Sequence, residues 1–173
     1  MPKSQADRTI RILLVVAFVA FMWTIKDTFE ERIVNVGDKA PNFSITTERG
    51  RKVSLSDFGG KVLVLNFWAT WCPPCMEEMP SLNEFAASMK DSGVVVLAVS
   101  IDRNEKAYKT FLQRARPAFE TAYDPEANVS TDFGTFKWPE TYVIDKNGKV
   151  VQKLISNQEW MAPQIVNSIK ALL

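Results

Sequence analysis

The chain predicts an α/β fold, a central mixed sheet with helices on both faces. Three observations point to it. Val62-Leu63-Val64-Leu65-Asn66-Phe67 and Val94 to Ser100 are short, near-continuous apolar runs, the pattern of strands covered on both faces. Segments with helical start and stop signals lie between these runs and the strands that follow. Asp145-Lys146-Asn147-Gly148-Lys149 is a hairpin signal between two final strands, which brings antiparallel pairing into the sheet. With 173 residues, 46% of them hydrophobic, the chain can form one well-buried domain and a short appendage.

The appendage comes first. Ile12 to Ile25 carries no charge. Lys3, Arg8 and Arg11 precede it with Asp7 as the only acid, and Lys26, Asp27, Glu30, Glu31 and Arg32 follow. The basic excess on the amino-terminal side predicts residues 1–9 in the cytoplasm and the rest outside. As a helix the run spans about 21 Å, short of a bilayer core of about 30 Å, and that length also suits a signal-peptide core. A cut site needs small residues at −3 and −1. Ala20 would have Phe18 at −3, Thr24 would have Met22, and Thr28 would have Lys26. No cysteine follows the run closely enough to carry a lipid anchor. Arg11 can snorkel, Trp23 can sit at the interface, and Ile10 and Phe29 lengthen the apolar face. The run therefore reads as an uncleaved single-pass transmembrane anchor over 10–29, with a cleaved signal as the alternative. A core helix of a soluble protein would show a polar face, and this run has none. A linker over 30–36 is expected next, then one domain from 37 to 173 on the extracytoplasmic side of a bacterial-type inner membrane.

Within that domain, Gly37 to Pro41 punctuates the junction. Asn42 to Thr47 and Arg51 to Ser54 alternate like two edge strands about Glu48-Arg49-Gly50. Gly59-Gly60 precedes the first central strand. Pro74 suits the first turn of a helix reaching about Lys90, with a kink expected at Pro80 and an end at Gly93. Asn104 is a cap for a helix over Glu105 to Arg114. Phe119 to Tyr123 reads as a short strand and Glu126 to Phe133 as a short helix. Thr141 to Ile144 and Val150 to Ile155 are the hairpin strands, and Pro163 opens a last helix to about Leu173.

Composition narrows the chemistry. The net charge is +1, from 21 basic and 20 acidic residues, and no basic stripe interleaves with aromatics, so no nucleic-acid partner is expected. There is no histidine. That removes histidine-ligated zinc, Cys/His and Ser/His/Asp catalytic sets, and the histidine-containing haem attachment motif. No Gly-rich dinucleotide fingerprint is present, and no cofactor is expected. The two cysteines, Cys72 and Cys75, are too few for a disulfide framework and half of what a four-cysteine metal site needs. No metal is expected, and the pair reads as a redox couple.

Trp71-Cys72-Pro73-Pro74-Cys75 stands at a strand-to-helix junction. A helix amino terminus offers unsatisfied N–H groups and partial positive charge. Both favour a thiolate, so Cys72 is expected to be the nucleophile. Cys75, one turn further in, is expected to be less exposed and to resolve the mixed disulfide that Cys72 forms with a partner. The competing reading is an inert disulfide, but a bridge across so short a loop removes little entropy from the unfolded chain.

Leu65-Asn66-Phe67-Trp68-Ala69-Thr70-Trp71-Cys72-Pro73-Pro74-Cys75 resembles the signature of the thioredoxin-like extracytoplasmic reductases grouped as the TlpA/ResA/CcmG family. The resemblance runs from about Val36 to the end. Val36-Gly37-Asp38-Lys39-Ala40-Pro41-Asn42-Phe43 is similar to the opening segment that this family shares with the peroxiredoxins. Trp138-Pro139-Glu140-Thr141-Tyr142 is similar to its cis-proline segment. The resemblance implies a thioredoxin-like fold with an extra strand and helix between Cys75 and Pro139. It implies a cis bond before Pro139 and a backbone at Trp138 that pairs with substrate beside Cys72. Trp71, Pro73, Trp138, Pro139 and Glu140 are the candidate substrate-binding residues, with Glu140 at the rim of the site or, alternatively, on the strand surface. Trp68 reads as packing.

Two acidic positions separate the chain from thioredoxin itself. The buried aspartate that thioredoxins place six residues before the first cysteine is Asn66 here, which cannot accept a proton. Glu78, three residues after Cys75, matches a glutamate of the resembled family and returns to the cysteine face of the helix. Glu78 is the candidate proton acceptor for Cys75. The alternative is a solvated first-turn carboxylate, as Glu77 is expected to be.

The implied activity is reduction of disulfides in extracytoplasmic proteins, apocytochromes c among them, with a membrane electron donor keeping the pair reduced. Other readings are a redox-inert binding module, a copper carrier and a peroxidase. The copper carriers use a wider cysteine spacing and a histidine. The peroxidases use threonine or serine three residues before their cysteine and a proline upstream, where this chain has Ala69 and Leu65.

Overall fold

Val62–Trp68 (β3) is buried along its whole length, and the domain is built around it. Apolar side chains alternate to its two faces: Val62, Val64 and Trp68 to one, Leu63, Leu65 and Phe67 to the other. A computed structural model describes residues 3–29 and 33–173, with side chains at 5, 7–24 and 33–173. The chain divides into two units, Met1–Arg32 and Ile33–Leu173.

The first unit holds one helix, α1 (Lys3–Phe29). Its described large apolar side chains, from Ile10 to Trp23, are all half or more exposed. Among the described residues no helix is long and apolar enough to cross a membrane. The described side chains of α1 take in Asp7, Arg8 and Arg11 beside the apolar run, while those of residues 25–29 lie outside the description. Residues 30–32 of the expected linker also lie outside it.

In the second unit, Ser44–Thr46 (β1) and Lys52–Ser54 (β2) form an antiparallel pair, and Leu55–Phe58 is a single 3₁₀ turn. Pro73–Ser88 (α2) follows β3, then Val94–Ser100 (β4), Glu105–Ala115 (α3), Glu120–Tyr123 (β5) and Asn128–Asp132 (α4). Glu140–Ile144 (β6), Val150–Ile155 (β7) and Pro163–Lys170 (α5) complete the chain. The main sheet has the order β5-β4-β3-β6-β7. β3, β4 and β5 are parallel, and β6 and β7 join antiparallel. This is the mixed sheet expected, in the thioredoxin-like arrangement, with α4 shorter than expected and Asn104 capping α3 through the Ala107 N–H.

One face of the sheet carries α2, α3 and α5 through Leu82, Phe85, Tyr108 and Ile169. The other carries the β1–β2 pair, the 3₁₀ turn and α4 through Ile45, Val53, Phe58 and Val129. Val34 is buried in that second layer, and its N–H bonds the Phe133 carbonyl. The packed unit therefore begins a few residues before 37, because an apolar side chain near the sheet is favoured in the core over solvent.

Candidate active site

The two cysteines sit where β3 hands over to α2. Cys72 is the N-cap of α2 in extended conformation, and Pro73 and Pro74 occupy its first two positions. Neither proline has an N–H, so the first donor the helix presents is that of Cys75. It bonds Cys72 Sγ at 3.3 Å. The positive end of α2 thus bears on the one sulfur that needs stabilising as an anion. The pair is joined as a disulfide with Cα atoms 5.3 Å apart. Cys72 keeps 4% exposure and Cys75 none, so Cys72 alone offers a path to a partner.

The loop before Cys72 is held by a residue that the sequence reading did not single out. Asp102, just after β4, is 1% exposed. It accepts from the Thr70 N–H at 3.0 Å and the Thr70 hydroxyl at 2.6 Å, and Ser100 Oγ donates to it at 2.7 Å. A buried carboxylate holding three donors fixes the backbone two residues ahead of Cys72. No local pattern announces it, because β4 brings Asp102 alongside only in the folded sheet.

Glu78 is 2% exposed, so it is not the solvated first-turn carboxylate of the alternative reading. Asn66 Nδ2 donates to its Oε1 at 2.8 Å. The Gln158 backbone N–H donates to Oε2 at 3.0 Å, and the Trp160 indole N–H to the same oxygen at 3.4 Å. Burial pushes its carboxyl up to about 7, against the pull of these three donors toward the anion. Cys75, one helical turn earlier, is fully buried. Gln158 and Trp160 were not visible as site residues in the sequence. They lie in the loop after β7 and reach Glu78 across 80 and 82 residues of chain.

The Trp138–Pro139 bond is cis. The Ser156 N–H bonds the Pro139 carbonyl at 2.9 Å, which ties this turn to the same loop that holds Glu78. Trp138 packs edge-on against Trp71 with ring centroids 6.1 Å apart. Trp71 is 59% exposed. Together they wall an open groove of about 930 Å³ that continues past Ile101, Arg103 and Glu126. Five of the six expected substrate-side and nucleophilic positions, Trp71, Cys72, Pro73, Trp138 and Pro139, gather around the amino end of α2.

Glu140 does not join them. It was expected at the rim of the site or on the strand surface, and it is fully buried. It follows Pro139 in β6, and its side chain points to the sheet face opposite Asn66 and Thr141. Lys153 pairs with Glu140 Oε1 at 2.9 Å, and the Tyr142 hydroxyl donates to the same oxygen at 2.7 Å. Lys153 also donates to the Val34 carbonyl at 3.1 Å and lies over the Tyr142 ring. Strand alternation decides this placement: residues 140 and 142 share one face, and 141 takes the other.

This arrangement can perform thiol–disulfide exchange. It has one accessible sulfur at a helix amino terminus, a buried second sulfur within bonding reach, and a buried carboxyl that titrates near neutrality one turn beyond. Among the described residues no cluster of acidic or sulfur ligands could hold a metal ion.

Known proteins share both sequence and fold with the chain. The profile of the AhpC/TSA family matches residues 36–153. The thiol-disulfide oxidoreductase ResA of Geobacillus kaustophilus is 38% identical over 154 residues, 88% of each chain. That of Bacillus thuringiensis is 36% identical over 151 residues, 87% of each chain. The crystal structure of a protein assigned as the thiol:disulfide interchange protein DsbE of Chlorobium tepidum superposes with a TM-score of 0.70 at 32% identity. It covers 80% of this chain and 95% of its own.

Proposed function

We propose, given that the chain belongs to the AhpC/TSA family and within it to the ResA-type thiol–disulfide oxidoreductases, that it reduces disulfides in extracytoplasmic partner proteins, apocytochromes c among them. The observation that carries the reading is the Cys72–Cys75 disulfide at the amino end of α2, with the Cys75 N–H on Cys72 Sγ.

In the reduced state Cys72 is the thiolate. It attacks one sulfur of the partner disulfide, the partner's S–S bond breaks, and a mixed disulfide forms while the other partner sulfur leaves as thiolate. Cys75 then loses its proton to the Glu78 carboxylate and attacks Cys72 Sγ. The mixed disulfide breaks, the second partner thiolate leaves, and the chain holds the disulfide seen here. Two electrons have passed to the partner. A membrane electron donor with its own dithiol returns the chain to the reduced form by the same exchange in reverse. Trp71, Pro73, Trp138 and Pro139 form the surface on which the partner lies.

The compartment is part of the proposal. Helix α1, with its exposed apolar side chains and preceding basic residues, supports a single-pass anchor that leaves Cys72 on the extracytoplasmic side. Arg11 and the charges after Ile25 would have to snorkel to the interfaces for so short an uncharged run to span.

The test is electron transfer itself. The reduced protein is mixed with an oxidised apocytochrome c peptide, and free thiols are counted on both. Loss of two thiols here for two gained on the peptide, absent in Cys72→Ser, is the expected result. A reduced protein that keeps both thiols in the presence of the peptide overturns it.

A further inference from the structure

The two oxygens of Glu78 have different partners. Oε2 accepts from the Gln158 backbone N–H at 3.0 Å and the Trp160 indole N–H at 3.4 Å. Both groups are donors only and can never accept a hydrogen bond. Among the described residues, Oε1 accepts from the Asn66 side-chain amide alone, at 2.8 Å. An amide is both donor and acceptor, and rotation by half a turn exchanges its two ends.

The far side of Asn66 makes such a rotation feasible. Its Nδ2 also donates to Thr141 Oγ1 at 2.9 Å, while its Oδ1 is buried without a partner. Turned over, Oδ1 would face a protonated Glu78 Oε1 and the Thr141 hydroxyl, and both could donate to it. Nδ2 would take the unpartnered place. Either orientation leaves one end of the amide unpartnered, the carbonyl oxygen in one and the two N–H groups in the other, so the hydrogen bond that a protonated Glu78 donates is what favours the turned one.

We propose that Trp160 and Gln158 hold Oε2 of Glu78 permanently as an acceptor, so that the proton Glu78 takes up sits on Oε1 and is received by rotation of the Asn66 amide. Asn66 and Trp160 are on this view positioning residues that fix where the proton resides. Asn66, which cannot carry the proton itself, is the group that responds to it. The inference rests on the proposed role of Glu78 for its consequence in the cycle, but the geometry holds in the disulfide form, where no cysteine titrates.

Few charges bear on Glu78. On α2 its neighbours are the disulfide and Glu77, which is exposed and accepts from Asn157. From the loop after β7 the only charge is exposed Glu159. From the sheet, Glu140 and Lys153 face the opposite side and pair with each other. The carboxyl near 7 is accordingly set by burial and three N–H donors, with no ion pair among the described residues.

The experiment uses the oxidised full chain in detergent, labelled for nuclear magnetic resonance. The Glu78 carboxyl carbon is followed from pH 5 to 9, together with the Asn66 side-chain amide and the Trp160 indole N–H. The Asn66 signals are expected to move with the Glu78 midpoint while the Trp160 proton stays hydrogen-bonded throughout. Trp160→Phe, which keeps an aromatic ring against Phe85, is expected to raise the Glu78 midpoint by about 0.5 in pH, because it removes a donor that favours the anion. Trp68→Phe removes an indole N–H that is buried with no partner and should leave the midpoint in place. Asn66 signals that stay flat while Glu78 titrates overturn the proposal, and so does an unmoved midpoint in a folded Trp160→Phe. None of these readouts depends on thiol exchange, so a failure of the proposed function leaves them intact.

Discussion

Asn66 donates to Glu78 at 2.8 Å and so joins the strand that leads into the cysteines to the helix that carries them. The asparagine removes an acid from β3, and the glutamate supplies one from α2 beside it. A carboxyl in this place that changes its charge near neutral pH is suited to thiol chemistry, and burial gives Glu78 that property.

Replacing Glu78 with glutamine should therefore simplify the pH profile of thiol alkylation in the reduced protein. A carboxylate and a thiolate held close titrate as a coupled pair, and the variant has only the thiols. The release step performed by Cys75 should slow, with first attack by Cys72 changed less. Alkylation and partner-reduction rates against pH check this. Superimposable native and variant curves would mean that Cys75 loses its proton to water.

The two sulfurs should separate by role. Cys75→Ser should accumulate mixed disulfides through Cys72, since the group that breaks them is gone. Cys72→Ser should accumulate few, because Cys75 is fully buried. Non-reducing electrophoresis after mixing with oxidised partner reads the difference. Equal trapping by both variants would reverse or cancel the assignment.

Stability of the disulfide form should depend on Glu78. Its carboxyl lies at about 7 in the folded chain and at 4.5 when unperturbed. Between those values the folded state keeps a proton that the unfolded state has lost. Stability should thus fall as pH rises from about 4.5 to 7 and level off above, by about 3 kcal/mol in all. Urea unfolding of oxidised native protein and Glu78→Gln at pH 4.5, 7 and 8 tests it. The fall should be missing from the variant.

The Glu140–Lys153 pair makes a different prediction because both groups are withdrawn from water. Lys153→Met leaves Glu140 buried with only the Tyr142 hydroxyl to satisfy it and should cost about 3 to 5 kcal/mol. Adding Glu140→Gln should recover most of that loss. Chemical unfolding of the single and double variants at one pH is the measurement, and an additive double variant would show that the pair is not coupled.

Topology is open to a direct test. Reporter domains fused after Arg32 should be active only in the form that requires export. Activity confined to the cytoplasmic reporter would place Cys72 on the wrong side of the membrane for the proposed partners.

What the sequence by itself determined was local. Two cysteines one helical turn apart, after an apolar run and beside two prolines, already specify a redox pair at a helix amino terminus. Strand and helix spacing and the hairpin signal already specify the mixed sheet. The position of Glu78 on the cysteine face followed from helical periodicity, which needs only its neighbours in the chain. Tertiary structure alone decided what surrounds those groups. Asp102 reaches Thr70 across 32 residues, and Gln158 and Trp160 reach Glu78 across 80 and 82. Glu140 lies next to Pro139 in sequence yet faces the other side of the sheet, buried against Lys153. Such contacts depend on which strands lie side by side and which face each residue takes. Burial by distant elements moves the Glu78 carboxyl to near neutrality, and no run of consecutive residues encodes it.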